Sequence, residues 1–240
     1  MSRVHIITHG QGLPLVLFHG WGFDINVWTP LLPRLTTQYQ LHLVDLPGFG
    51  LTPMMNWETF KLVLLEQLPE RFAVAGWSMG GLYATRLAME IPARITHLIN
   101  IASSPRFVRD PSWPGVDSSI FEAFYEEFKK NPLKTQQQFL ALQLQGQTEL
   151  EMVSSTTSET ALEDGLGVLL QWDLRPGLLH LNLPVLYLFG RLDTITPRKT
   201  LLRLQRLYPQ FNYVLLPQSG HVPFLSHPEE FTHALEGFLQ

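Results

Sequence analysis

Gly76-Trp77-Ser78-Met79-Gly80 reads G-x-S-x-G, and the residues on either side of it say what kind of turn it is. The apolar run Arg71-Phe72-Ala73-Val74-Ala75 leads in with the character of a buried strand. Leu82, Tyr83, Leu87 and Ala88, with Arg86 and Glu90 between them, lead out at helical spacing. A serine at the tip of a tight strand-to-helix turn sits in a strained backbone conformation, with its hydroxyl presented at the top of the sheet. Side chains two residues before and after it would collide, which accounts for glycine at 76 and at 80. The helix that follows points its N-terminus at the serine, where its dipole favours negative charge. Five-residue matches arise by chance. The flanking strand and helix make Ser78 a candidate nucleophile and not merely a turn residue.

Working outward, the same alternation recurs. Leu15–Phe18, Leu41–Val44, Ile95–Ala102, Val185–Phe189 and Tyr213–Leu216 are further apolar strand candidates. Continuous apolar strands separated by helical patterns predict an α/β fold, with a mostly parallel central sheet and helices on both faces. Ligands in such sheets bind beyond the carboxyl ends of the strands. The turns His19-Gly20-Trp21-Gly22 and Asp45-Leu46-Pro47-Gly48-Phe49-Gly50 follow strands, so they gather with Ser78 on one edge. Between Pro105 and Trp172 no strand is evident. Phe121–Lys130 and Thr135–Gln145 read as helices, and 154–160 as a polar loop or a frayed helix start. The expected division is a core of residues 1–104 and 177–240, with 105–176 a helical cap over the active edge.

Composition bounds the chemistry. At 240 residues the chain is one domain, or one carrying an insertion, with 45% hydrophobic residues. The formal net charge of -4 argues against a nucleic-acid surface. With no cysteine there is no disulfide, thiol nucleophile, iron–sulfur cluster or cysteine zinc site. No signal-peptide pattern or membrane-length apolar run is evident, so a cytoplasmic protein is the default, and a monomer likewise. His5, His9, His42, His97, His180, His227 and His233 show no metal-ligand spacing. Nucleotide-binding glycine motifs are absent, so no cofactor or metal is expected.

A serine hydroxyl needs a base, and the base needs a carboxylate to orient it. In this fold class the chain order is Ser, Asp or Glu, then His. Asp193 in Gly190-Arg191-Leu192-Asp193 and His221 in Gln218-Ser219-Gly220-His221 each follow a strand, in that order. Their plainer readings are a loop cap before Thr194 and Thr196, and a surface-loop histidine. Asp45 is the competing acid, but it precedes the elbow and is better read as organising the Pro47–Gly50 turn. A tetrahedral intermediate needs backbone N–H donors, which Met79 and Trp21 can supply. The Trp21 indole is also expected to wall the pocket, and His19 to brace the turn that carries it. A base must be neutral to accept a proton, so activity should fall on acidification as His221 protonates. The serine excludes variants of this chemistry that place a carboxylate at the elbow.

These residues, taken together, resemble the α/β-hydrolase superfamily over the whole chain. Several segments are more specific and are similar to the pimeloyl-[acyl-carrier protein] methyl ester esterases of biotin synthesis. They are His19–Gly22, Asp45–Gly50, Gly76–Gly81, Ala102–Pro105, Trp113-Pro114-Gly115, Phe139-Leu140-Ala141-Leu142-Gln143, Asp173-Leu174-Arg175 and Gly220–Pro228. The resemblance implies that Ser78 attacks the methyl ester of a pimeloyl chain held on acyl carrier protein, and that His221 protonates the departing methanol. It also implies that Trp21, Ser78, Met79, Phe139, Leu140, Ala141, Leu142, Gln143 and His221 contact substrate. Phe139 and Leu142 can equally be ordinary helix packing. Where the family carries arginines on the insertion helices, this chain has Lys129, Lys130 and Lys134, followed by Glu149 and Glu151. The lysines read either as a docking surface for the acidic carrier or as a solvated helix face. Two other functions stay open: an esterase or C–C hydrolase acting on a free small substrate, and a ligand-binding receptor on the same fold.

Overall fold

A computed structural model describes residues 3–143 and 157–240. In chain order it contains β1 (Ile6–His9), β2 (Leu13–Phe18), β3 (Tyr39–Val44), α1 (Trp57–Leu65), β4 (Phe72–Trp77), α2 (Met79–Glu90) and β5 (Ile95–Ile101). Then follow α3 (Ser118–Lys130), α4 (Pro132–Gln143), α5 (Glu159–Gln171), β6 (Val185–Gly190), α6 (Arg198–Leu207), β7 (Asn212–Leu216) and α7 (Pro228–Leu239). The strands form one sheet in the order β1-β3-β2-β4-β5-β6-β7. All neighbours run parallel except β1, which pairs antiparallel with β3.

Period-two alternation along the central strands divides the core between the two faces. Val16, Phe18 and Val74 pack into one apolar cluster, while Leu15, Leu17, Ala73 and Ala75 pack into the other. Both faces are therefore covered, which is why these strands read as unbroken apolar runs. Burying each such Val, Leu or Phe contributes about 1.5–3 kcal/mol. The strand the sequence reading does not contain is β1. It is short, pairs on one side only and is partly exposed, so it lacks the continuous apolar signal of a central strand.

Between β5 and β6 the described residues hold helices and two isolated bridges but no strand. Helix α3 starts at Ser118, capped by the Asp117 side chain, and α4 starts at Pro132, earlier than the periodicity suggests. Positions 144–145, 154–156, Glu149 and Glu151 lie outside the described residues. Ser158 caps α5 by accepting from the Ala161 N–H. Gly165 and Gly167 weaken the helical signal of α5, and Gly165 is there for space: a Cβ would lie 2.7 Å from the Trp21 ring. No helix among the described residues is long and apolar enough to cross a membrane.

The two ends of the stretch between β5 and β6 are tied together. Leu174 N–H donates to the Pro105 carbonyl at 2.9 Å, and Arg106 meets Asp173 at 3.2 Å. Arg175 bridges Asp110 at 2.7 Å and Asp173 at 2.6 Å. Burial alone would raise the Asp110 carboxyl, but hydrogen bonds from Ser112 and Arg175 hold it well below the usual carboxylate range. A depressed carboxylate stabilises the fold above its unfolded value of 3.8, and that contribution is lost as pH falls through the folded value. Asp110→Asn is therefore expected to melt below wild type at neutral pH, with the gap closing as pH drops under 3.8. Thermal melts across pH check this; a gap that is constant down to about pH 2 contradicts it.

Candidate active site

The elbow is built by close backbone approach. Ser78 has φ 54° and ψ −119°, a left-handed conformation forced where β4 ends and α2 begins. A Cβ on Gly76 would lie 2.1 Å from the Gly80 carbonyl oxygen, and one on Gly80 would lie 2.4 Å from that of Phe18. The collision expected from the sequence is thus present on both sides of the serine. The Ser78 N–H donates to Ile101 O at 2.9 Å, and its carbonyl accepts from the Ser103 hydroxyl at 2.8 Å. Ala102, also left-handed at φ 44°, turns the chain after β5 so that Ser103 reaches it.

The loops after β6 and β7 deliver the other two candidates. Gly190 lets them touch, since a Cβ there would meet the Gly220 carbonyl oxygen at 2.0 Å. Leu192 N–H then donates to Ser219 O at 2.9 Å. His221 Nε2 lies 3.0 Å from Ser78 Oγ, and His221 Nδ1 lies 2.8 Å from Asp193 Oδ2. A carboxylate only accepts, so Nδ1 carries the proton and Nε2 is left to accept from the Ser78 hydroxyl. All three side chains are buried. Asp193 Oδ1 also accepts from the N–H groups of Ile195 at 2.8 Å and Thr196 at 3.0 Å, and the Thr196 hydroxyl donates to Oδ2. The loop-cap reading of Asp193 and the orienting geometry therefore hold together: the cap is what aims the carboxylate.

The backbone N–H groups of Trp21, in the turn after β2, and of Met79, directly after the serine, donate to no acceptor among the described residues. His19 braces the Trp21 turn. Its Nδ1–H donates to Gly20 O at 2.8 Å, and its Nε2 accepts from Leu46 N–H at 3.0 Å. Burial lowers its pKa, which keeps Nε2 available as an acceptor. Asp45 stays with its own turn, accepting from Leu51 N–H and Ile25 N–H at 2.9 Å each and from His5 Nδ1 at 2.7 Å. Gly50, at φ 52°, leaves room for that carboxylate.

Above Ser78 lies a cavity of about 500 Å³ with largely apolar walls, including Phe107, Phe121, Phe124, Phe139, Leu142 and Leu166. Of the substrate-contact positions taken from the resemblance, Ser78, Phe139 and Leu142 line it. Leu140, Ala141 and Gln143 do not. A helix turns about 100° per residue, so 139 and 142 share the cavity face of α4. Leu140 instead packs into the core cluster containing Trp28, Gln143 is buried away from the cavity, and Ala141 is exposed. Trp21, Met79 and His221 are buried beneath the cavity and do not line it. The Trp21 indole meets Phe139 edge-on at 5.2 Å and Phe124 at 6.0 Å, so it backs the wall instead of forming it. Its N–H donates to Leu162 O of α5 at 2.8 Å.

Other contributors carry no sequence signal. Trp77, the variable second residue of the elbow motif, donates its indole N–H to the His221 carbonyl at 2.8 Å and packs on Phe23 and Phe224. Ser103 and Thr196 hold the elbow and the carboxylate through single hydroxyls, which no motif spacing announces. Phe107 and Leu166, both from the stretch between β5 and β6, also line the cavity.

Residues 15–234 match the alpha/beta hydrolase family. A protein of Legionella pneumophila (strain Lens) named pimeloyl-[acyl-carrier protein] methyl ester esterase is 52% identical over 99% of this chain and 100% of its own. One of the same name from Aeromonas hydrophila is 38% identical over 98% and 99%. Among solved structures, an esterase from Exiguobacterium antarcticum superposes with a TM-score of 0.90 at 22% identity, covering 99% of this chain and 96% of that one. The strained serine on the β4–α2 turn has strand-end Asp and His loops closing on it, and with residues 15–234 matching the family model the chain belongs to the alpha/beta hydrolase family.

Proposed function

We propose that the protein is a serine carboxylesterase that hydrolyses the methyl ester of pimeloyl-[acyl-carrier protein], as the relatives' name describes and as the motif resemblance to biotin-forming esterases implies. The observation that carries the chemistry is the 3.0 Å and 2.8 Å relay from Ser78 through His221 to Asp193 beneath an apolar cavity. Ser78 Oγ attacks the ester carbonyl while its proton passes to His221 Nε2. The Trp21 and Met79 N–H groups receive the oxyanion. Collapse breaks the bond to methoxide, which leaves as methanol with the proton from His221, and an acyl-enzyme remains. Water then adds, its proton goes to His221, and the second collapse returns that proton to Ser78 Oγ. The acyl chain leaves as a carboxylic acid, still on its carrier, and loses its remaining proton to bulk water. Phe139 and Leu142 pack along that chain. Residues 105–176 act as one cap, a reading supported by the paired stems at Pro105–Asp110 and Asp173–Arg175.

Mass spectrometry of methyl-pimeloyl-acyl carrier protein and, in parallel, a free short-chain methyl ester tests this. The carrier-bound ester is expected to be cleaved with much the higher kcat/KM. Cleavage of the free ester alone would instead make the protein a general carboxylesterase, and turnover of neither would favour a receptor. Phe139→Ala is expected to lower kcat/KM for the pimeloyl substrate about tenfold, since apolar contact with a few methylenes is worth a few kcal/mol at most. An unchanged value would remove Phe139 from the acyl site.

A further inference from the structure

We propose that the protein carries a second small-molecule site, on the far side of α5 from Ser78, which takes an organic ammonium ion with an apolar or aromatic body. The site is a cavity of about 390 Å³ between the β3–α1 loop, α1, α2, α3 and α5, large enough for a small ligand. It shares no lining residue with the cavity over Ser78. Helix α5 is the wall between the two. At about 100° per residue, Asp164, Gly167, Val168 and Gln171 fall on one face and line the second cavity. Leu166 and Leu169 fall on the opposite face and line the catalytic one.

Two observations call for a ligand there. Glycine inside a helix costs about 1 kcal/mol relative to alanine, so it needs a reason. Gly165 has one in the Trp21 ring, but a Cβ on Gly167 would meet only Gln171 Nε2, at 3.9 Å. No neighbour among the described residues requires bare backbone at 167, whereas a molecule lying against α5 does. Tyr83 is the second. It is only 7% exposed and lines the cavity, yet its hydroxyl makes no hydrogen bond among the described residues. A phenol buried to that degree ordinarily finds a partner.

The walls specify a cation. Trp57, Tyr83 and Trp172 form a continuous aromatic surface, with Tyr83 and Trp57 rings 5.0 Å and 5.7 Å from that of Trp172. The electron-rich faces of such rings attract cations, and this pair of tryptophans already holds one: the Arg86 guanidinium lies 4.7 Å from Trp57 and 4.6 Å from Trp172. Asp164 and Glu163 add two carboxylates. Glu163 accepts from the Tyr125 hydroxyl at 2.5 Å, and Asp164 has no hydrogen-bond or ion-pair partner among the described residues. Burial and the charge of Asp164 push the Tyr83 pKa up, so it stays a neutral phenol whose oxygen can accept from an ammonium N–H. No lysine, arginine or histidine among the described residues lines the cavity. The cations nearby are matched, Arg86 by Glu90 at 2.9 Å and Glu58 at 4.0 Å, and Lys129, over the Tyr125 ring, by Glu126 at 3.3 Å. An anion would meet two carboxylates here, and a neutral apolar molecule would leave Asp164 and the Tyr83 oxygen unused.

The test is calorimetric titration of the full-length protein at neutral pH with benzylammonium, and with benzyl alcohol and benzoate as its neutral and anionic counterparts. Each titration is repeated after phenylmethylsulfonyl fluoride has blocked Ser78, which occupies the catalytic cavity. Benzylammonium is expected to bind about tenfold or more tightly than benzyl alcohol, benzoate not at all, and the block is expected to change nothing. Glu163→Gln/Asp164→Asn should weaken benzylammonium about tenfold, and Tyr83→Phe, which removes only the oxygen, about threefold. Gly167→Leu should abolish binding by filling the cavity. Leucine is the better helix former and a Cβ at 167 meets open space, so its melting temperature should not fall below wild type and its free-ester turnover should stay within about twofold. No heat from benzylammonium up to about 10 mM, benzyl alcohol binding equally well, binding that survives Gly167→Leu, or binding lost when Ser78 is blocked would each overturn the site.

Discussion

Ser78→Ala is expected to lower ester turnover by on the order of 10⁶-fold while leaving the fold intact. The hydroxyl makes one contact with the relay, the 3.0 Å approach to His221 Nε2, whereas the strained backbone is held by the Ser78 N–H to Ile101 and by the Ser103 hydroxyl. Removing Oγ deletes the nucleophile but keeps those bonds, so the melting temperature should move little. His221→Ala is expected to cost a similar factor, and the double variant no more than either single one, because nucleophile and base act as a unit. Residual activity within about a hundredfold of wild type in Ser78→Ala would remove this serine from the chemistry. Additive losses in the double variant would separate the two side chains into independent roles.

Gly76→Ala carries the largest expected effect on stability. The added Cβ would lie 2.1 Å from Gly80 O, 2.3 Å from Gly80 C and 2.5 Å from Gly81 N, all backbone atoms of the first turn of α2. Gly81 is itself packed against Ser103 and Asn100, so α2 has no room to withdraw. A loss of at least about 3 kcal/mol is expected, lowering Tm by roughly 6–12 °C in a chain of this size. Gly237→Ala is the matched control. It sits in α7 with nothing within 4 Å of the added Cβ, and helix propensity alone should make it neutral or stabilising by up to about 1 kcal/mol. Thermal melts of the two variants decide the matter. Equal Tm values would mean that the elbow tolerates separation of β4 from α2.

Strands β2 to β6 were legible because burial on both faces writes an unbroken apolar run, edge strand β7 because Tyr213–Leu216 is apolar though only half-buried, and the elbow because Gly76, Ser78 and Gly80 mark a turn with little steric freedom. Strand β1 and helix α5 were not. One pairs along a single edge, and the other carries two glycines, of which Gly165 makes room for the Trp21 ring across the fold. Asp193 and His221 could be nominated from chain order and strand-end position. Thr196, Ser103 and Trp77 could not, since each acts by one hydrogen bond to a partner that the chain brings near only on folding.

The α4 stretch shows the division most plainly. As a string, Phe139-Leu140-Ala141-Leu142-Gln143 reads as one substrate-contacting segment, yet helical rotation sends only Phe139 and Leu142 to the cavity. By itself the sequence determined the parallel sheet, the elbow and the candidates for nucleophile, acid and base, because these follow from local periodicity and close-range sterics. Only the tertiary structure decided which side chains wall the cavity, because that depends on residues far apart in the chain meeting at the sheet edge.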